Sequence, residues 1–237
     1  LLLAAGVLIY ANSFSAPWVF YGHHLIEENR AIRQWWPPWL PMRGTTRPAT
    51  MFSFAVNYAV GGPNAWGYHA VNLAIHVAAA VVLFEIVRRV LAGPRLASQY
   101  AEAAPGLALA VALLWLVHPL QTQSVTYLYQ RFESLMGLFF LLTFYTFLRA
   151  IDADRPLLWY AASVACWFAG LGSKETAVAA PFVLLWYDRA LVAESWGRLW
   201  RRRGPLYLVF AAVLGAIAWY GYAQQASYAR AGVMDAN

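Results

Sequence analysis

Two short stretches put ionisable residue types side by side: "GSKETAVAAP" (172–181) carries Lys174 and Glu175, and "QRFES" (130–134) carries Arg131 and Glu133. "HPLQTQ" (118–123) adds His118, and "FYGHHLIEEN" (20–29) adds His23, His24, Glu27 and Glu28, with Arg43 and Arg47 following. Arginine presents a planar fork that matches a phosphate, and lysine a compact point charge. A carboxylate can take a proton from an incoming hydroxyl. Gathered in one place, these groups would suit an anionic headgroup handled beside a bilayer.

Each group also has a plainer explanation. His69, Asn72 and His76 form an i, i+3, i+7 stripe that suits a hydrogen-bonded contact between helices. Arg131 with Glu133, and Lys174 with Glu175, can simply neutralise one another. Glu85 with Arg88 and Arg89 is an ordinary helix pairing. His23 and His24 are adjacent and so lack the i, i+4 geometry of a helical zinc pair; a divalent metal held by them with Glu27 or Glu28 is the alternative.

What must position these residues is a membrane fold. The 237-residue chain is 61% apolar and 12% charged, outside the range of ordinary soluble domains. Several runs approach the roughly 20 residues needed to cross a hydrocarbon core. The pattern predicts an all-α, polytopic bundle of about seven spans at 1–12, 67–90, 104–117, 133–150, 157–172, 175–191 and 205–222. The outer loop 13–66 is long, and 51–60 is a short apolar helix lying against the membrane. A further short helix is expected within 119–131. In "QWWPPWLP" (34–41), Trp35, Trp36 and Trp39 suit the headgroup layer.

The cations orient this layout. With the first span running outward, the inner loops hold Arg88, Arg89, Arg95, Arg149, Arg155, Arg189, Arg198, Arg201, Arg202 and Arg203, ten of the seventeen. Lysine and arginine concentrate on the cytoplasmic side, so the titratable groups above gather at the opposite face. Membrane lipids are the first partners this implies. Nucleic acid is excluded, because no basic, aromatic-interleaved stretch lies on a soluble module. The single cysteine, Cys166, rules out an internal disulfide. The sequence begins inside an apolar run without Met and is expected to lack its native N-terminus; a signal-peptide core over 1–11 is the competing expectation.

Five segments thus deliver cations, carboxylates and imidazoles to one face. Their joint chemistry is sugar transfer from a lipid-linked phosphate. There is no phosphate-cradling glycine loop, nucleophile elbow or H-E-x-x-H to indicate a soluble enzyme.

Three longer stretches carry a family resemblance: "RPATMFSFAVNYAVGGPNAWGYHAVNLAIHV" (47–77), "HPLQTQSVTYLYQRFESLMGLFFLLTFYTFLR" (118–149) and "GSKETAVAAPFVLLWYD" (172–188). Together they resemble the membrane domain of the transmembrane and tetratricopeptide-repeat O-mannosyltransferases and their bacterial relatives, in the type C glycosyltransferase superfamily. The resemblance implies a single membrane domain over 1–237, a fragment or shortened form, with a polyprenyl-phosphate sugar as donor and an acceptor protein hydroxyl. It implies no cofactor beyond the lipid-linked donor, and a site on the non-cytoplasmic face of what would be a bacterial inner membrane. It points to Arg47, His118, Gln121, Gln130, Arg131, Glu133, Lys174 and Glu175 as site-lining residues. Arg131 and Lys174 would hold the phosphate, Arg47 would assist, and Glu27, Glu28 or Glu175 would act as base. Two features depart from the family. Relatives carry an acidic pair where this chain reads Phe20-Tyr21-Gly22, so His23, Glu27 or Glu28 would have to substitute. The repeats and later membrane helices are missing as well. The missing acidic pair supports a second function, a catalytically silent relative serving as an accessory subunit with partner membrane proteins.

Overall fold

The structure, a computed structural model, describes residues 1–17 and 22–230; of the side chains in that range, those of His23, Leu25 and residues 226–230 lie outside the description. Tyr21, the first of the two positions (Tyr21-Gly22) where the family's acidic pair would fall, is also outside it. All regular structure among the described residues is helical. In chain order the α-helices are α1 (Leu2–Tyr10), α2 (Trp39–Met42), α3 (Pro48–Gly61), α4 (Ala65–Leu91), α5 (Ala97–Tyr100), α6 (Ala104–Leu116), α7 (Thr122–Thr126), α8 (Arg131–Asp152), α9 (Pro156–Leu171), α10 (Ala180–Tyr187) and α11 (Trp196–Arg230). Two compact units result, Leu1–Ala180 and Pro181–Asn237.

Local chemistry explains where the helices of the first unit begin and end. Pro48, Pro105 and Pro156 open α3, α6 and α9, where a missing N–H is harmless and the fixed φ is already helical. Gly62, at φ +59°, ends α3, its N–H donating to the Tyr58 carbonyl over 2.7 Å. Only glycine takes that backbone conformation without strain. Two residues on, the Asn64 side chain accepts from Trp66 N–H at 3.1 Å and starts α4.

With 27 residues, α4 is about 40 Å long at 1.5 Å per residue, enough to cross a ~30 Å hydrocarbon core. Three described helices have the length and composition to span: α4, the stretch from Leu128 through α8 to Asp152, and α11. A fourth is formed if α6 and the following Pro119–Thr126 segment, bent by 52°, count as one. The chain is a membrane protein. The expectation of seven regular spans meets shorter helices elsewhere: α1 with its 3-10 extension (Leu2–Ser15) and α9 are apolar but short. The stretch expected to span 175–191 is broken into a 3-10 turn (Glu175–Ala179), the eight-residue α10 and a π-turn (Asp188–Val192). Pro181, which has no N–H to give, sits at the start of α10, where a new helix begins more readily than an old one continues.

Packing in the first unit follows the apolar stripes. α4 lies against α6 and α8, and α8 against α9. α1 crosses α4 at Gly6, where a Cβ would come within 2.8 Å of Val77. One buried cluster, Ile26, Ile32, Met51, Phe54, Ala55, Tyr68, Leu128 and Phe132, ties the first loop to α3, α4 and the start of α8. A second, containing Tyr10, Leu73, Val77, Leu116 and Val125, joins α1, α4 and α6. Trp35, Trp36 and Trp39 are exposed.

The second unit is organised by one polar knot. Asp188, fully buried, receives both Nε (2.6 Å) and Nη2 (2.5 Å) of Arg203, and the Tyr207 hydroxyl donates to it at 2.9 Å. A buried carboxylate is tolerable only when it is paired and hydrogen-bonded in this way.

Candidate active site

The site is built on the first turn of α8, where successive residues point about 100° apart. Arg131, Phe132 and Glu133 therefore face three different neighbours. Arg131 points inward and is 0% exposed. Its Nε donates to Asn72 Oδ1 at 2.7 Å, and its Nη2 donates to Asn57 Oδ1 at 2.9 Å and to the Tyr68 carbonyl at 3.0 Å. Its guanidinium lies 4.4 Å from the Phe54 ring centroid and 5.4 Å from that of Tyr68. Those hydrogen-bond partners are two amide oxygens and a carbonyl, and Nη1 has none among the described residues. One buried cation thus joins α3, α4 and α8.

Phe132 packs edge-on to Phe54 (6.2 Å, 82°) and carries the Arg47 guanidinium 4.5 Å above its ring. Glu133 turns toward the 172–175 loop and forms an ion pair with Lys174. Its place in the first turn of α8 also sets its negative charge at the positive end of the helix dipole.

The 172–175 loop meets α3 by direct backbone contact. Ala49 N–H donates to the Gly172 carbonyl at 2.8 Å, and the Thr50 hydroxyl reaches the Ser173 carbonyl at 3.5 Å. A Cβ at Gly172 would lie 3.3 Å from the Ala49 Cβ, so a side chain there would crowd the junction. From behind, Trp167 Nε1 donates to the Ala177 carbonyl at 2.9 Å. The junction brings Arg47 within 3.8 Å of Glu175. Arg47 (27% exposed) and Lys174 (22%) are partly sheltered, whereas Glu175 (69%) is open.

Three hollows adjoin this cluster. A crevice of about 450 Å³ lies beside Arg47, between Arg43, Thr45, Thr46 and Tyr129. An apolar groove of about 780 Å³ is lined by Ala49, Phe52 and Val56 of α3, Val71 of α4 and Phe139 of α8. A smaller crevice of about 180 Å³ is lined by Glu133, Gln121 and Ser124, among others.

The expected site residues divide accordingly. Arg47, Glu133, Lys174 and Glu175 come together, and Gln121 shares the small crevice with Glu133. Arg131 lies beneath, sealed from solvent. His118 is exposed and caps the turn after α6, its Nδ1 accepting from Leu120 N–H at 3.2 Å. Glu28 is exposed, with its carboxylate 2.5 Å from His24 Nδ1. Glu27 is exposed too, and its carbonyl accepts from Arg33 at 2.9 Å. Gln130 sits at the N-cap of α8. In the histidine stripe, His76 Nε2 donates to the Leu116 carbonyl at 2.9 Å, and Asn72 donates to the Val125 carbonyl at 3.4 Å. His69 is buried, with the Ala16 backbone as a polar neighbour. No group of three His, Cys, Asp or Glu among the described residues is placed to hold a metal ion. Asn57, Phe132, Ser124 and Gly137 were not singled out from the sequence. Of these, only Asn57, an amide inside an apolar helix, carried a visible signal.

This arrangement occurs in a chain with curated relatives. It is 32% identical over 151 residues to the protein O-mannosyl-transferase Tmtc2 of Drosophila melanogaster, which covers 61% of this chain and 15% of the relative. Over 183 residues it is 28% identical to human protein O-mannosyl-transferase TMTC2 (71% and 20%), and over 222 residues 26% identical to Drosophila Tmtc3 (81% and 24%). These similarities, at 26–34% identity, support membership of the TMTC O-mannosyltransferase family. It spans a quarter or less of the length of these TMTC relatives. No family model matches it, and no solved structure does. In this chain the "QRFES" and "SKE" stretches meet in space through the Glu133–Lys174 pair.

Proposed function

We propose that the first unit is the donor-handling part of a membrane glycosyltransferase that moves a sugar from a polyprenyl-phosphate carrier to a protein hydroxyl at the non-cytoplasmic face. The observation that carries this reading is the junction of an ion cluster with an apolar groove. Ala49, two residues from Arg47, lines the groove between α3, α4 and α8 and is bonded through its N–H to the Gly172 carbonyl in the loop that carries Lys174 and Glu175. A lipid phosphate needs both halves, cations for its headgroup and apolar walls for its tail. The names of the TMTC relatives supply mannose as the sugar to test.

In this reading Lys174 and Arg47 hold the phosphate. Arg131 positions the first turn of α8 from below, so that Glu133 and Phe132 present the two cations. Glu175, the most open carboxylate of the cluster, accepts the proton of the acceptor hydroxyl as its oxygen forms the new bond to the sugar's anomeric carbon and the carrier phosphate departs. Glu27 and Glu28 belong to the first loop and are the alternative bases; His24 engages the Glu28 carboxylate.

The deciding experiment offers purified protein a polyprenyl-phosphate mannose and a Ser/Thr acceptor peptide. Wild type should transfer, and Lys174→Ala and Arg47→Ala should lose about a hundredfold or more, the scale of removing a charge-assisted contact from the transition state. Equal background in all three would remove the enzyme reading. A specific feature, the non-acidic Tyr21-Gly22 where relatives have two acids, favours the second reading, an inactive accessory subunit. Donor binding that depends on Lys174 without any transfer would establish it.

A further inference from the structure

We infer that the 180 Å³ crevice between α4, the 119–126 turn and α8 is a monosaccharide subsite. This rests on the proposed donor reading and specifies which part of the donor goes where. The crevice is lined by Gln121 and Ser124 from the turn, Glu133, Ser134 and Gly137 from α8, and His76 from α4. They offer an amide, two hydroxyls, a carboxylate and an imidazole, groups that between them donate to and accept from sugar hydroxyls. His76 commits Nε2–H to the Leu116 carbonyl, which leaves Nδ1 as the ring nitrogen not used by that bond. Trp115 lies against the His76 ring at 4.7 Å and gives the crevice an aromatic wall.

Size narrows the ligand. At roughly 30 Å³ per water in the liquid, 180 Å³ is the share of about six waters, which suits one sugar ring. It lies below the roughly 300–1,000 Å³ of ordinary small-molecule sites, so a nucleotide or a disaccharide would not be enclosed. Connection to the ion cluster is direct, because Glu133 both lines the crevice and pairs with Lys174. A sugar whose anomeric phosphate sits at Lys174 therefore has its ring beside the crevice. Gly137 lines the crevice, and a Cβ built on it meets nothing within 4 Å. A side chain there would enter the space without displacing the fold.

The test measures binding of two lipid phosphodiesters of equal charge, polyprenyl-phosphate mannose and polyprenyl methyl phosphate, to wild type and to Gly137→Leu in detergent. Wild type should prefer the mannosyl lipid by about tenfold or more, the worth of one or two net hydrogen bonds. Gly137→Leu should lose that preference and keep its affinity for the methyl diester. Equal binding of both lipids by wild type, or an undiminished preference in Gly137→Leu, would overturn the subsite while leaving the donor reading intact. Binding of neither lipid by wild type would overturn the donor reading itself, and the subsite with it. Should Gly137→Leu fail to fold, the Gln121→Ala/Ser124→Ala double variant is read by the same affinity ratio, with the same two outcomes.

Discussion

Arg131 is the residue whose removal separates structure from chemistry most sharply. Asn72→Leu deletes the 2.7 Å charge-assisted bond to its Nε and strands that N–H in the core. The bond is worth about 1.5–3 kcal/mol and the stranded donor about 1–3 kcal/mol more, so the variant should lose about 3–5 kcal/mol. Arg131→Met should lose a similar amount, because Asn57, Asn72 and the Tyr68 carbonyl are left without their donor. With both substitutions the stranded groups at this contact disappear together, and the loss should fall short of the sum by about 2 kcal/mol. That coupling is well above the ~0.6 kcal/mol average for hydrogen bonds inside membrane proteins, because this one is charge-assisted and enclosed. The assay can use the only thiol, Cys166, on α9 of the same unit and partly buried. Its modification across a denaturant series reports opening of that unit, and a 4 kcal/mol loss raises the open fraction about a thousandfold. Two losses that add to within about 0.5 kcal/mol would show that Arg131 and Asn72 do not act as one unit, and the hub description would fail.

Two further outcomes bear on topology and on the second unit. In a Cys166→Ser background, single cysteines at 28 and 175 should react with a membrane-impermeant thiol reagent from one side of the bilayer and a cysteine at 95 only from the other; reaction of 28 and 175 from opposite sides would remove the common face on which the donor site depends. Arg203→Met strands the buried Asp188 carboxylate and should destabilise the second unit by about 3–5 kcal/mol, whereas Arg203→Met combined with Asp188→Leu should recover much of that loss, read by modification of a cysteine placed at the buried Ala193 of that unit in a Cys166→Ser background.

Much of this was legible in the sequence because it is local. Apolar run lengths locate α4, α8 and α11, and prolines and Gly62 mark where helices start or stop. The grouping of Arg47, Glu133, Lys174 and Glu175 was foreseeable from charges stranded at the ends of apolar runs. The role of Arg131 was not. Composition treats it as one more cation beside a membrane face, and its burial depends on amides 74 and 59 positions away in other helices. His118 illustrates a similar limit, since a histidine before proline can cap a turn or face a ligand with the same neighbours in sequence. The break in 175–191 was hidden by uniform hydropathy, which measures partition into lipid and is insensitive to the backbone pairing that Pro181 interrupts.

The cations of this cluster differ in how easily they can change partners, and that difference assigns their work. Ion pairs between partly exposed side chains contribute about 0–1 kcal/mol. Lys174 and Arg47 are in that class, so a phosphate oxygen can replace the Glu133 or Glu175 carboxylate at little cost in stability. Arg131 cannot exchange in this way, because leaving Asn57, Asn72 and the Tyr68 carbonyl would strip a fully buried charge of its hydrogen-bond partners. The exchangeable pair should therefore govern affinity for the lipid phosphate and weaken with added salt. The fixed cation should govern the stability of the turn that carries them. If Lys174→Ala unfolded the protein as readily as Arg131→Met, or if donor binding ignored ionic strength, this division between a binding pair and a structural anchor would be wrong.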